Sequence, residues 1–431
     1  MVACFLLLTP HLSPLTSHLS PLTFAQTAVR EEIGQKVDCA AGLNRAYDPA
    51  DSTALTPTPE GKAPFAIISC NRHGACYLGK PGDYDAPYMV LAGADSIGGL
   101  TTLGKSVLDR LSRIRQDARS HWGELSDVGV GQQQEIARRM AERFPEIFNK
   151  DAWHIGARSL RNTRSLLSME QLMTQISRVY RIRVYHNASQ EYSDYLDSQD
   201  EGHLRMKKDS LAQATFEAFS NKYCDGDRLA KTLFADSDYI SGHVDVQRLS
   251  DQLFRIAGSI QNTRLKGEVS LYDLFTEDEI WHQWKRQNAK NYLNYGHAVR
   301  QSRTPLIRQL LRRLLHDADT ALTMKPTAVF LFVDETTLAP LVCLMDINGY
   351  GLVTDDLEAL DNQGWADYRI CPMGANMQWV LYRRNREDGD VLIKVLLNGQ
   401  EASLPLSSEN APYYRLKDFK DYYLNILDSY E

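Results

Sequence analysis

"CNRHGACYLG", Cys70 to Gly79, directly follows the apolar run "APFAIIS" at residues 63–69. An uninterrupted apolar run of this length predicts a buried strand. The Arg-His-Gly triplet at 72–74 then lies at the strand's carboxyl end. Ligands of open α/β sheets bind beyond the carboxyl ends of strands. Reading the triplet therefore means choosing between a polar turn and an imidazole set beside a guanidinium to meet an anion. Taken alone, three residues favour the polar turn.

The flanking segments predict the surroundings. "GGLTTLGKSVLDRLSRI" and "GELSDVGVGQQQEIARRMAERFPEIF" share a Leu-Thr/Ser-x-x-Gly opening. Thr101 and Ser126 are the predicted N-caps. Val107, Leu108, Leu111 and Ile114 give the first helix its apolar positions, and Ile136, Met140 and Phe144 recur at helical spacing in the second. Pro145 ends or perturbs that second helix. "WHIGARSLRNTRSLLSMEQLMTQI" predicts a short strand, an arginine-bearing loop and a helix, and "RIRVYHNA" a further strand. "PLIRQLLRRLLHDADTAL" predicts an amphipathic helix, and "TAVFLFVDETTLAPLVCLM" a buried strand, a loop and another apolar element. "MQWVLYRRN" and "DVLIKVLLNG" read as late paired strands.

Alternating strands and helices predict an α/β fold, with a central, mostly parallel sheet flanked by helices. The core is assigned to 63–189 and 301–431. Residues 190–300, charged, aromatic and helical in pattern, predict an inserted helical cap. Residues 26–62, rich in Pro, Thr, Asp and Gly, predict an irregular segment.

Composition narrows the function classes. With 43% hydrophobic and 24% charged residues, the 431-residue chain fits a soluble globular protein. A net charge of −7 argues against a whole-molecule nucleic-acid binder, yet allows a local basic pocket for a small phosphorylated ligand. "VACFLLL", the repeat "HLSPLTSHLSPLT" and the small residue Ala25 predict a leader over residues 1–25 and export to the periplasm or beyond. No Lys or Arg precedes Arg30, so the usual positive start of such a leader is missing. No later stretch reaches the roughly 20 apolar residues of a membrane helix. The seven cysteines form no CxxC pair, and His154, His186 and His297 lack metal-ligand spacing, so no metal or other cofactor is expected. A Cys70–Cys76 disulfide stays open. The oligomeric state is not legible.

Three loops after predicted strands carry complementary chemistry. Hydrolysis of a phosphate monoester needs a nucleophile, cations on the transferring phosphoryl group and an acid for the leaving oxygen. A neutral imidazole can attack and form a covalent phosphohistidine. His73 supplies the nucleophile. Arg72 and one or more of Arg158, Arg161 and Arg164 supply the clamp, for which planar guanidinium forks suit phosphate oxygens. Asp334 or Glu335 supplies the acid. Against this stand plainer readings: solvated or capping arginines, and an acid pair favoured by a helix dipole.

At these residues the chain resembles the histidine acid phosphatases. "NRHGACY", the two helix openings, "ARSLRNTRSLLSM", "ETTLAPLVCLM" and "GANMQWVLYRR" carry the likeness across most of the chain after residue 60. The branch it most resembles is the bacterial multiple inositol polyphosphate phosphatases. The resemblance implies an α/β core with a helical cap, His73 as nucleophile, Arg72 and Arg164 as phosphate ligands, and a small phosphorylated substrate. Two positions depart from the family pattern. The second arginine of Arg-His-Gly-x-Arg is Cys76, and the histidine of the later His-Asp or His-Ala-Glu motif is Asp334, which places the donor position on Glu335, or on Thr336 in the His-Ala-Glu register. A carboxylate about 4 Å from a phosphate oxygen costs roughly 4 kcal/mol at an effective dielectric near 20. A lost charge-assisted clamp costs roughly 1.5–3 kcal/mol more. If additive, these amount to about four to five decades in rate. The resemblance therefore admits two outcomes, a phosphatase or a relative that binds an anion or a protein partner without turnover.

Overall fold

In the computed structural model the apolar run becomes β1 (Ala63–Arg72), buried from Pro64 onward. The structure describes residues 29–48, 53–149, 154–197, 209–224, 226–296, 305–324 and 327–429. On one side β1 pairs in parallel with β4 (Thr327–Val333), and on the other it pairs antiparallel with β5 (Asn376–Arg383). β4 pairs in parallel with β2 (His154–Ser159), and β2 with the short β3 (Tyr185–Asn187). β6 (Leu392–Leu397) extends the sheet antiparallel to β5, followed at its edge by β7 (Gln400–Glu401) and β8 (Tyr414–Arg415). The strand order is β3-β2-β4-β1-β5-β6-β7, parallel through its first four strands. This is the predicted α/β sheet.

Register places the loops. Arg72 lies opposite Val333, and Ser159 opposite Phe332. The next residues of β1, β4 and β2 are therefore His73, Asp334 and Leu160, and all three strands end at one edge. Alternation along β1 sends Ile67 and Ile68 into different cores. Ile68 joins Leu331, Val333 and Trp379 under α7 (Pro305–Thr323), α8 (Glu335–Leu344) and α9 (Leu416–Asp428). Ile67 joins Phe330, Phe332 and Val380 under α3 (Asp127–Arg143) and α4 (Thr163–Tyr180).

A third core is helical. It combines α1 (Pro81–Ser96) and α2 (Thr102–Ala118) with α5 (Val246–Ile260) and α6 (Glu277–Asn291). Every described element from Gln190 to Gly296 is helical. The helical layer also draws on α1, whose weak apolar periodicity escaped sequence analysis.

Local rules account for most boundaries. Thr101 and Ser126 accept hydrogen bonds from the amides of Gly104 and Gly129, as N-caps do. α3 stops at Arg143, two residues before Pro145. One expected feature is absent: no loop separates β4 from α8, because Asp334 caps the helix directly. Among the described residues six cysteines, including Cys70 and Cys76, are free, so the disulfide left open by sequence is not formed. The predicted leader lies outside the described residues. No described helix is long and apolar enough to cross a membrane.

Candidate active site

Arg72 ends β1 with its side chain buried. Nη1 donates to the carbonyls of Leu43 at 2.5 Å and Cys371 at 2.7 Å. Nη2 lies 2.9 Å from Glu335 Oε2, while Nε is buried and has no hydrogen-bond partner among the described residues. His73 is 2% exposed, yet its polar edge is not packed against hydrocarbon. Nδ1 donates to the Gly74 carbonyl at 2.8 Å, and a carbonyl can only accept. Nε2 therefore faces inward, 3.8 Å from Asp334 Oδ1 and 3.7 Å from Glu335 Oε2.

Two helix N-termini fix this loop. The Gly74 amide donates to Ser168 Oγ of α4 at 3.0 Å, and the Ala75 amide to Gln132 Oε1 of α3 at 2.7 Å. Ser126 Oγ, the α3 cap, donates to the Ala75 carbonyl at 3.0 Å.

Arg164 stands in the first turn of α4 and reaches the same cluster, with Nη2 2.7 Å from Asp334 Oδ2. Asn162 caps α4 with its oxygen and donates from Nδ2 to both Asp334 carboxylate oxygens, at 3.3 and 3.2 Å. Ser165 Oγ donates to Asp334 Oδ1 at 3.2 Å. Sequence reasoning missed Asn162 and Ser165, although an Asn just ahead of a helix is a readable cap signal. Asp334 is 1% exposed and does not cap its own helix with its side chain. Its charge is thus neutralised before any ligand arrives. Asp334, expected from the sequence to stand as an uncompensated carboxylate, is instead paired with Arg164.

Three predicted positions lie elsewhere or act differently. Arg158 belongs to β2 itself rather than to a loop. It lies 4.0 Å from Asp317 of α7, with its guanidinium 5.6 Å from the centre of the Tyr192 ring, away from the cluster. Strand alternation explains this, since Ala157 faces the α3–α4 core and Arg158 the opposite side. Arg161 is likewise turned outward, onto Gln190 at 2.8 Å. Cys76 is buried with Ala75 and Met373 and brings a thiol, not a cation, toward His73.

The charges set one another's protonation. Burial disfavours an imidazolium at His73, but the Cys76 sulfur and the Glu335 carboxylate outweigh it and push its pKa up to about 9. Burial also opposes ionisation of Glu335, yet Arg72 and then His73 hold it well below the usual carboxylate range. The shifts of His73 and Glu335 thus both favour the charged forms, a proton on His73 beside an ionised Glu335.

Arg72 and Glu335 line a 540 Å³ basin that also borders the helical layer. α5 and α6 contribute Arg255, Arg286 and Lys290 to it. A basin of this volume suits a small molecule. Among the described residues no cluster of His, Cys, Asp and Glu is arranged to hold a metal ion.

Comparison with known proteins agrees with this architecture. The multiple inositol polyphosphate phosphatase of Bifidobacterium longum, solved with inositol hexasulfate, superposes with a TM-score of 0.75 at 16% identity, covering 88% of this chain and 96% of that one. The phytase of D. castellii superposes with a TM-score of 0.68 at 13% identity, covering 91% and 85%. At such identities these similarities establish the shared fold. No curated protein sequence matches significantly. The family model of the histidine phosphatase superfamily, branch 2, matches residues 114–398, beginning after the Arg-His-Gly loop and including Arg164, Asp334 and Glu335. With most of its length matched, the chain belongs to the histidine phosphatase superfamily, branch 2.

Proposed function

We propose that this protein hydrolyses phosphate monoesters through a covalent phosphohistidine at His73, with inositol phosphates among its substrates. The observation that carries the reading is His73 Nε2, 3.7 Å from Glu335 Oε2, where Glu335 and the neighbouring Arg72 line a cation-bearing basin. An imidazolium is not a nucleophile, so its proton must move first. Of the two carboxylates near Nε2, Glu335 at 3.7 Å is the one that also lines the basin, and we assign it as the acceptor. A phosphate dianion held by Arg72 and Arg164 would weaken the guanidinium hold on both carboxylates and raise the proton affinity of Glu335. Transfer from Nε2 to Glu335 then makes the nucleophile and loads the acid together. Nε2 forms a bond to phosphorus, the ester P–O bond breaks, and the leaving oxygen takes the proton from Glu335. Water, activated by the resulting Glu335 carboxylate, cleaves the phosphohistidine and releases inorganic phosphate.

Phosphate release from inositol phosphates and a chromogenic aryl phosphate, compared between wild type and His73→Ala, tests this. The expected result is steady release by wild type, background release by the variant, and an acid-labile phosphohistidine trapped only in wild type. A second reading, anion binding without turnover, is favoured by Asp334 already occupying Arg164 and by the thiol at Cys76. Background release from both proteins, together with calorimetric binding of phosphate to wild type, would establish that second reading instead.

A further inference from the structure

We propose that the basin selects phosphate esters of hydroxyl-rich, lightly phosphorylated alcohols, such as sugar or polyol monophosphates, over densely phosphorylated polyanions. The inference rests on the hydrolase reading and specifies its substrate class. It comes from how the basin's charges are already used. Arg286 contacts Asp251 at 2.6 and 3.2 Å, and Arg255 contacts Asp83 at 3.0 Å. Arg72 lies on Glu335 at 2.9 Å, and Arg164, behind it, on Asp334 at 2.7 Å. Among the described residues, Lys290 is the one cation of the lining without a carboxylate partner. Asp251 and Glu335 are themselves part of the wall. A ligand with many phosphates must strip several arginines of their carboxylates and still lie beside those carboxylates. A monoester needs only the Arg72 end of the basin.

The neutral lining points the same way. Five amide side chains border the basin, and each both donates and accepts. Asn294 Oδ1 is buried there with no hydrogen-bond partner among the described residues. An acceptor of this kind, like the carboxylates, calls for a donor. Ionised phosphate groups offer only acceptors, whereas hydroxyls offer both. Phe216, Phe254 and Tyr295 add apolar faces suited to the C–H faces of a ring.

The test measures kcat/KM for glucose 6-phosphate, glycerol 2-phosphate and myo-inositol hexakisphosphate at one pH and ionic strength, with calorimetric Kd values for the same three. We expect a preference of about tenfold or more for the monophosphates, and a ratio several-fold narrower in Asp251→Asn, which releases Arg286 for a polyanion. Hydrolysis favouring the hexakisphosphate would overturn the selection while leaving the hydrolase reading intact. If nothing is hydrolysed, the hydrolase reading fails and the Kd values decide alone. Tighter monophosphate binding then upholds the selection; tighter hexakisphosphate binding, or none at all, sinks it.

Discussion

At the residue scale, the Cys76 sulfur and then the Glu335 carboxylate raise the proton affinity of His73 against its burial, and stability must register this. Its folded pKa of about 9 lies above its ordinary value of 6.5. A raised pKa means that the folded state binds the proton more tightly, so the stabilising contribution is complete below pH 6.5 and disappears as pH rises through about 9. Chemical denaturation of wild type and His73→Gln between pH 6 and pH 10 should show an extra loss of stability, confined to wild type, across that interval. Parallel profiles would mean that the imidazole is neutral throughout. Sequence identified His73, Arg72, Arg164, Asp334 and Glu335, and the structure brings these five together. It could not identify what Asp334 does. A carboxylate read from a motif looks like an intruder facing the phosphate, whereas in the fold it is the shared acceptor of Arg164, Asn162 and Ser165. Arg158 was misplaced for a comparable reason, since the strand's last residues could not be told from its loop.

At the element scale, the repeated Leu-Thr/Ser-x-x-Gly opening proves to be packing as well as capping. A Cβ on Gly129 would lie 2.2 Å from the Ala75 carbonyl, and one on Gly74 would lie 2.6 Å from the Gly129 carbonyl. The Arg-His-Gly loop crosses the first turn of α3 backbone to backbone, so this crossing requires the glycine of the triplet. Gly→Ala inside a helix normally gains about 1 kcal/mol from propensity. At Gly129 the sign should reverse, with a loss of about 1–3 kcal/mol as the loop is pushed off the helix. Thermal unfolding of Gly129→Ala measures it, and a melting temperature at or above that of wild type would refute the close crossing. The caps and apolar stripes of α2 and α3 were legible because they are local. The direct passage from β4 into α8 was not, because "VDETT" contains no Gly or Pro to mark where a strand yields to a helix.

At the scale of the whole molecule, a buried carboxylate, Asp367, links the helical layer to the segment that leads into β5. Asp367 accepts from Trp284 Nε1 at 3.1 Å and from Asn291 Nδ2 at 2.7 Å, both on α6. It follows the sheet side of the chain toward Cys371, whose carbonyl holds Arg72. On its other flank lies Gly42, with φ 59° and ψ −128°, where a Cβ would sit 2.5 Å from Asp367 Oδ2. Burial pushes the Asp367 pKa from 3.8 up to about 6, against the pull of Asn291 and Trp284. Its stabilising contribution is therefore greatest below pH 3.8 and is lost as pH rises through about 6. Relative to Asp367→Asn, wild type should lose about 2 kcal/mol of stability between pH 4 and pH 7. Urea titrations of both proteins at the two pH values check this. A constant difference would show that Asp367 is solvated rather than enclosed.

By itself the sequence determined the α/β sheet, the edge from which the Arg-His-Gly loop emerges, and most of the polar residues gathered there. These depend on hydrophobic period, caps and short motifs, all of which act over a few neighbouring residues. Only the tertiary structure decided which charges pair: Arg164 with Asp334, Arg72 with Glu335, Arg286 with Asp251. Two of these pairings join residues far apart in the chain, and all three depend on distances of a few ångströms that no sequence pattern encodes. They also govern how much positive charge the basin has left for a ligand.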